Sequence, residues 1–296
     1  MAYSDRLRQS NPPVKFFAAD GEKPDDKTLF TGVEWEIEVT KATKLDSSYR
    51  RLEESLPNNL LDVMDKYNKD RLWFYKTDGS LTNGTECVTQ PFTFRYLKEN
   101  LPVEDIFGEL KGQIAPWDCG GHFNPGIHIH MSRKAFEPEH LFRFVKFHYD
   151  NAKFCQHVGG RVSSMGAFDR RKAGCSTDEA LMQQCQDKYA SSRDRFVAVN
   201  LNYHNTAELR YFRSTTKPAR FRGLIEWAYA LYWYTKTVAK PTPEELVDFL
   251  EQYSGDFGNA LGVVKDRPDC TPENKKDYVH LAGALIEPID LHYWER

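Results

Sequence analysis

Apolar and acidic side chains alternate along FTGVEWEIEVT, residues 30–40, with Val33, Trp35, Ile37 and Val39 in one phase and Glu34, Glu36 and Glu38 in the other. A period of two belongs to a strand whose neighbours point to opposite faces. One face is then apolar and the other is a row of carboxylates. GIHIHMS, residues 126–132, repeats the pattern, with Ile127, Ile129 and Met131 opposite His128 and His130. Residues 72–92, LWFYKTDGSLTNGTECVTQPF, read as two strands, and Asn83-Gly84 predicts a tight hairpin turn between them. Residues 196–215 read as two more strands around a turn at Tyr203 to Asn205.

Helical spacing appears between these strands. Residues 49–68 carry Leu52, Leu56, Leu60, Leu61 and Met64, with Pro57 placed to split the segment. Residues 93–112 predict a helix, and 137–158 an amphipathic helix opened by Pro138. A long helix is expected over 218–238 and another over 242–253, whose Thr-Pro-Glu-Glu start is a capping signal. Residues 159–195 are rich in Gly, Ser, Arg and Lys, with room for a short helix near 178–188; the expectation is a lid loop. Residues 1–27 are polar and broken by Pro12, Pro13, Gly21 and Pro24, which predicts a loosely docked arm. The remainder, 28–296, reads as a single domain. Strands that alternate rather than run apolar throughout predict an α+β fold on an antiparallel sheet with one solvated or functional face.

Composition narrows the function classes. A formal net charge of -3 and a pI near 6.3 give no electrostatic case for a nucleic-acid partner. The N-terminus has no apolar core of a signal peptide, and no apolar run reaches 18 residues, so a cytoplasmic protein without membrane spans is expected. Six irregularly spaced cysteines then predict free thiols rather than a disulfide framework.

The polar strand faces carry the chemistry. Glu34, Glu36 and Glu38, then Glu86, then His128 and His130, then Glu208 with Arg210, fall on four strand candidates. Each alone is compatible with a solvated strand face. Together, carboxylates with an imidazole suit Mg²⁺ or Mn²⁺, and a neighbouring arginine suits phosphoryl transfer.

The ordered blocks GVEWEIEV, DGSLTNGTECVTQP, GIHIHMSRKAF and NTAELRYFRSTTKP resemble the amidoligase family of the glutamine synthetase and glutamate–cysteine ligase superfamily. The likeness runs from about residue 30 to 240. It implies a curved antiparallel half-funnel with helices on the outer face. It also implies ATP with Mg²⁺ or Mn²⁺, and amide formation between a carboxylate and an amine through an acyl phosphate. The carboxylate could be a small molecule, a peptide or a modified base. By this resemblance Glu34, Glu36, Glu86, His128 and Glu208 are metal ligands. His130 and Arg210 contact phosphate or substrate, and Arg213 contributes to the cofactor site. Asp78 supports the metals or the amine.

Some positions leave alternatives open. Glu38 continues the row at its far end. A two-residue hairpin at Asn83-Gly84 would turn Asp78 away from Glu86. An undistorted strand would point Arg213 away from Arg210, so Arg213 reaches the site only through a strand end or a bulge. Cys119 and His122, with Cys175 and Cys185, fit no standard zinc spacing. The competing functions are a metal-dependent hydrolase using the same Glu and His residues and a non-catalytic binding module. Substrate identity and oligomeric state are not encoded in any readable motif.

Overall fold

The computed structural model describes residues 12–38, 60–79, 81, 84–110, 125–161, 164–187 and 194–265. The expected helix before residue 60, Asn83, Cys119 and His122 lie outside them, as does the Glu38 side chain. The described chain is α+β. Six strands form one antiparallel open sheet: β1 (Thr31–Glu38), β2 (Trp73–Lys76), β3 (Gly84–Thr89), β4 (Gly126–Ser132), β5 (Val199–Asn200) and β6 (Thr206–Arg213), in the order β2-β3-β1-β4-β6-β5.

The predicted alternation sets the two faces. Val33, Trp35, Ile37, Ile127, Ile129, Met131 and Leu209 are all buried on one side. That side is covered by helices. The longest is Pro218–Thr237, and its Trp227 donates to Tyr211 Oη at 2.9 Å. Trp35 packs against Phe107 and Phe221 at ring-centroid distances of 4.8 and 5.3 Å. Its indole N–H reaches Ser214 Oγ at 3.1 Å. Burying such a layer is the main driving force for the fold.

The helices are numbered α1 (Phe94–Glu99), α2 (Val103–Leu110), α3 (Pro138–Asp150), α4 (Ala152–Gly159), α5 (Asp178–Gln186), α6 (Pro218–Thr237), α7 (Pro243–Gln252) and α8 (Ser254–Lys265). Residues 60–67 are also helical. The expected helices 93–112 and 137–158 are each two in the structure. Pro102 ends the first one's continuity, since the residue before a proline is disfavoured in helical geometry. Asn151 breaks the second: its backbone leaves the helical region and its side chain bonds Phe147 O at 3.0 Å.

The β2–β3 hairpin is wider than the sequence suggests. Lys76 faces Glu86, so the connection spans residues 77–83 and Gly84 already belongs to β3, opposite Glu38. The two-residue turn at Asn83-Gly84 is therefore corrected. At the outer edge of β2 the Asn68 side chain accepts from Trp73 N at 3.0 Å and donates to Trp73 O at 2.9 Å.

Residues 13–17 are not a loose arm. Phe17 N donates to Pro91 O at 2.9 Å, Lys15 N to Gln90 Oε1 at 3.1 Å, and Gln90 Nε2 to Pro13 O at 3.2 Å. The described part of 159–195 includes α5, whose Leu181 and Cys185 are buried. Arg133 ties this segment down through Gln184 O at 2.7 Å and Asp187 O at 2.9 Å. Cys87, Cys155, Cys175 and Cys185 are buried thiols outside any disulfide. Among the described residues no helix is long and apolar enough to cross a membrane.

Candidate functional site

Strand register brings the polar residues together. Glu34 faces His128 across β1 and β4, Glu36 faces Glu86 across β1 and β3, and His130 faces Glu208 across β4 and β6. Directly opposed residues in antiparallel strands share a face, so these six occupy the side away from Val33 and Ile127. Glu36, Glu86, His128, Glu208 and Arg210 are buried there.

A bulge decides the position of Arg213. Pairing shifts between Ile127 and Ile129, so that β6 carries one extra residue beside His128. Beyond the shift Gly126 faces Arg213. The extra residue reverses the alternation and turns Arg213 to the carboxylate face, where an undistorted strand would not put it.

Glu34 is the centre of the cluster. Its Oε2 lies 3.1 Å from His128 Nδ1 and its Oε1 lies 3.4 Å from His130 Nε2. Burial alone would raise its pKa, but the two imidazoles outweigh this and hold it far below the ordinary carboxylate range. Glu208 Oε2 accepts from Asn200 Nδ2 at 2.7 Å, and Oε1 pairs with the Arg210 guanidinium. Arg210 Nε also reaches Met165 O at 3.4 Å.

Glu34, His130 and Glu208 each offer one ligand atom within a sphere where all lie inside 4.8 Å of one another. His130 Nδ1 sits 3.3 Å from Thr206 Oγ1. Its Nε2 has no hydrogen-bond partner among the described residues, although Glu34 and Glu208 lie 3.4 and 3.7 Å away. A buried imidazole nitrogen directed at two carboxylates, with its other nitrogen held by a hydroxyl, fits a divalent cation. Burial opposes protonation of His130, yet Glu34 and Glu208 raise its pKa on balance.

His128 lies beneath this group, with Nε2 3.5 Å from Glu36 Oε1. Arg161 Nη1 approaches the same Nε2 at 3.4 Å. A guanidinium can only donate, so Nε2 accepts and the His128 proton sits on Nδ1, facing Glu34. The resemblance makes His128 a ligand; its Nδ1 lies 3.1 Å from Glu34 Oε2 and 3.6 Å from Glu208 Oε1, and His130 Nε2 converges on the same two carboxylates.

Arg161 carries no motif and was not anticipated. It follows Gly160, the left-handed end of α4 at φ 66°. From there its guanidinium enters the site beside Gly126 and lies 3.8 Å from Glu36 Oε2. A Cβ on Gly126 would overlap that guanidinium. The Gly126 N–H also donates to Glu36 Oε2. Burial lowers the Arg161 pKa, with Glu36 opposing.

Lys76 and Asn200 were likewise missed. Lys76 Nζ lies 3.8 Å from Glu34 Oε1 and 3.6 Å from Glu86 Oε1. Burial, with repulsion from Glu34, still pushes the Glu86 pKa up to about 7. Asp78 sits in the 77–83 connection, half-buried, and its charge acts on Glu86 and Arg161.

The chain matches no model of a known protein family and no curated protein.

Proposed function

We propose that the protein is an ATP-dependent carboxylate–amine ligase on a glutamine-synthetase-like half-funnel. The observation that carries this reading is the convergence of Glu34, His130 and Glu208 on one sheet face, flanked by the Arg210 and Arg161 guanidiniums. Glu34, His130 and Glu208 would hold Mg²⁺ or Mn²⁺, with Glu36 and Glu86 alongside. Such an ion, when bound, offsets the charge of nucleotide phosphates and a carboxylate meeting on an acidic surface.

The chain's own groups do the rest. Arg210, locked by Glu208 and Met165 O, presents fixed positive charge where a phosphoryl group would pass. Asn200 orients the Glu208 carboxylate. The substrate carboxylate oxygen attacks the γ-phosphorus and ADP leaves. The amine nitrogen then attacks the acyl carbon, phosphate departs, and the nitrogen loses a proton to give the amide.

Thermal unfolding with Mg²⁺, ADP, and both together, on wild type and Glu208→Gln, tests this. A ligand at a hundred times its Kd adds about 2.7 kcal/mol of stability, a rise of about 5 °C for a chain this size. The expected rise needs both ligands and is lost in the variant. A rise with metal alone, indifferent to nucleotide, would instead support a metal-dependent hydrolase; no rise at all would support a non-catalytic module.

A further inference from the structure

A cavity of about 780 Å³ adjoins the Glu34 and His130 end of the carboxylate face. That size lies within the roughly 300–1,000 Å³ of small-molecule sites. We propose that it binds a protonated primary amine with a ring-sized apolar body. Calling this molecule the amine partner of a ligation rests on the function proposed above; the binding itself does not.

The walls argue for the apolar body. Val14, Phe16, Phe30, Val88 and Pro91 line the space. Val14 and Phe16 are 69% and 60% exposed, two of the five exposed large hydrophobic side chains among the described residues. They are not exposed through looseness. Their segment is bonded to Gln90 and Pro91 on both sides of Phe16, and the next residue, Phe17, is buried. Phe16 is also set edge-on to Phe30, with centroids 4.7 Å apart. The fold therefore holds apolar surface in place, exposed at the cavity wall, where an apolar ligand body would cover it.

The charges argue for the ammonium. Asp25, Asp26 and Glu34 line the same cavity, against Lys134 and His130. Three carboxylates repel a phosphate or a carboxylate and attract a cation.

Calorimetry on the metal-free and nucleotide-free protein decides the point, with three probes: biphenyl-4-ylmethylamine, the matching biphenyl-4-carboxylate, and adenosine. The amine is expected to bind, with the carboxylate weaker by about tenfold or more. Val88→Lys, which places a cation in the cavity from a half-buried position on the polar face, is expected to abolish amine binding. Asp26→Lys, at an exposed position, should weaken it with unfolding unchanged, and decides the matter if Val88→Lys fails to fold. Equal or better binding of the carboxylate or adenosine would overturn the proposal. So would amine binding that survives both substitutions, or no binding by any probe. The ligase reading fails separately, through the nucleotide-dependent unfolding shift. Amine binding without that shift keeps this inference and removes the ligase.

Discussion

Gly126 and Arg161 are bound together by space. The guanidinium occupies the volume a side chain at position 126 would need, and the same glycine N–H serves Glu36. Gly126→Ala should therefore destabilise the protein by about 1–3 kcal/mol through overpacking. In an Arg161→Ala background the same change should cost much less. A double-mutant cycle by denaturant unfolding measures this coupling, and additive effects would mean that the two do not share the space. At this scale the sequence reveals residues whose partners repeat with a strand period. Glu34, Glu36, His128, His130 and Glu208 fall out of alternation alone. Arg213 does not, because its face depends on an extra residue whose position leaves no compositional mark. Arg161 does not either: it enters from a helix end, and only the Gly159-Gly160 pair before it hints that the chain turns there.

The elements that sequence reveals best are those fixed by local chemistry. α7 begins where Thr242 accepts from Glu245 N, as the capping signal predicts. The wide β2–β3 connection was hidden, because the Asn83-Gly84 preference is weaker than the strand pairing that places Gly84 opposite Glu38. The packing of α6 on α8 was hidden as well, since beside the apolar contacts of Phe257, Ala260 and Val263 it uses one buried carboxylate. Glu226 accepts from Lys98 Nζ at 2.9 Å and from the N–H groups of Asn259 and Ala260 at 3.0 and 3.1 Å. Those amides lie just past Phe257, where the helical geometry is interrupted, so a side chain from another helix caps a fresh helix start. Glu226→Ala should cost about 3 kcal/mol, because it strands two amides and takes the carboxylate from Lys98, which keeps Asp256 O at 2.7 Å. Hydrogen exchange should quicken first at residues 258–264; uniform destabilisation would contradict the capping role.

For the molecule as a whole, the cluster makes stability depend on pH. The Glu86 pKa rises from the ordinary 4.5 to about 7 through burial and its acidic neighbours. Below 4.5 the group is protonated whether folded or unfolded, and nothing is lost. Between 4.5 and 7 the unfolded chain releases the proton while the folded one keeps it, so stability falls as pH rises. Above 7 the full penalty stands. With metal chelated, Glu86→Gln should stabilise the protein at pH 8 by about 2 kcal/mol and by little near pH 4.5. A difference that does not change with pH, read from unfolding curves, would refute the strain. The sheet that carries this charge is open, with a four-residue strand at one edge and a two-residue strand at the other. Asn68 occupies both outward backbone groups of Trp73, which a neighbouring molecule's strand would need in order to pair there. The same asparagine thus guards against amyloid-like stacking of one copy on the next.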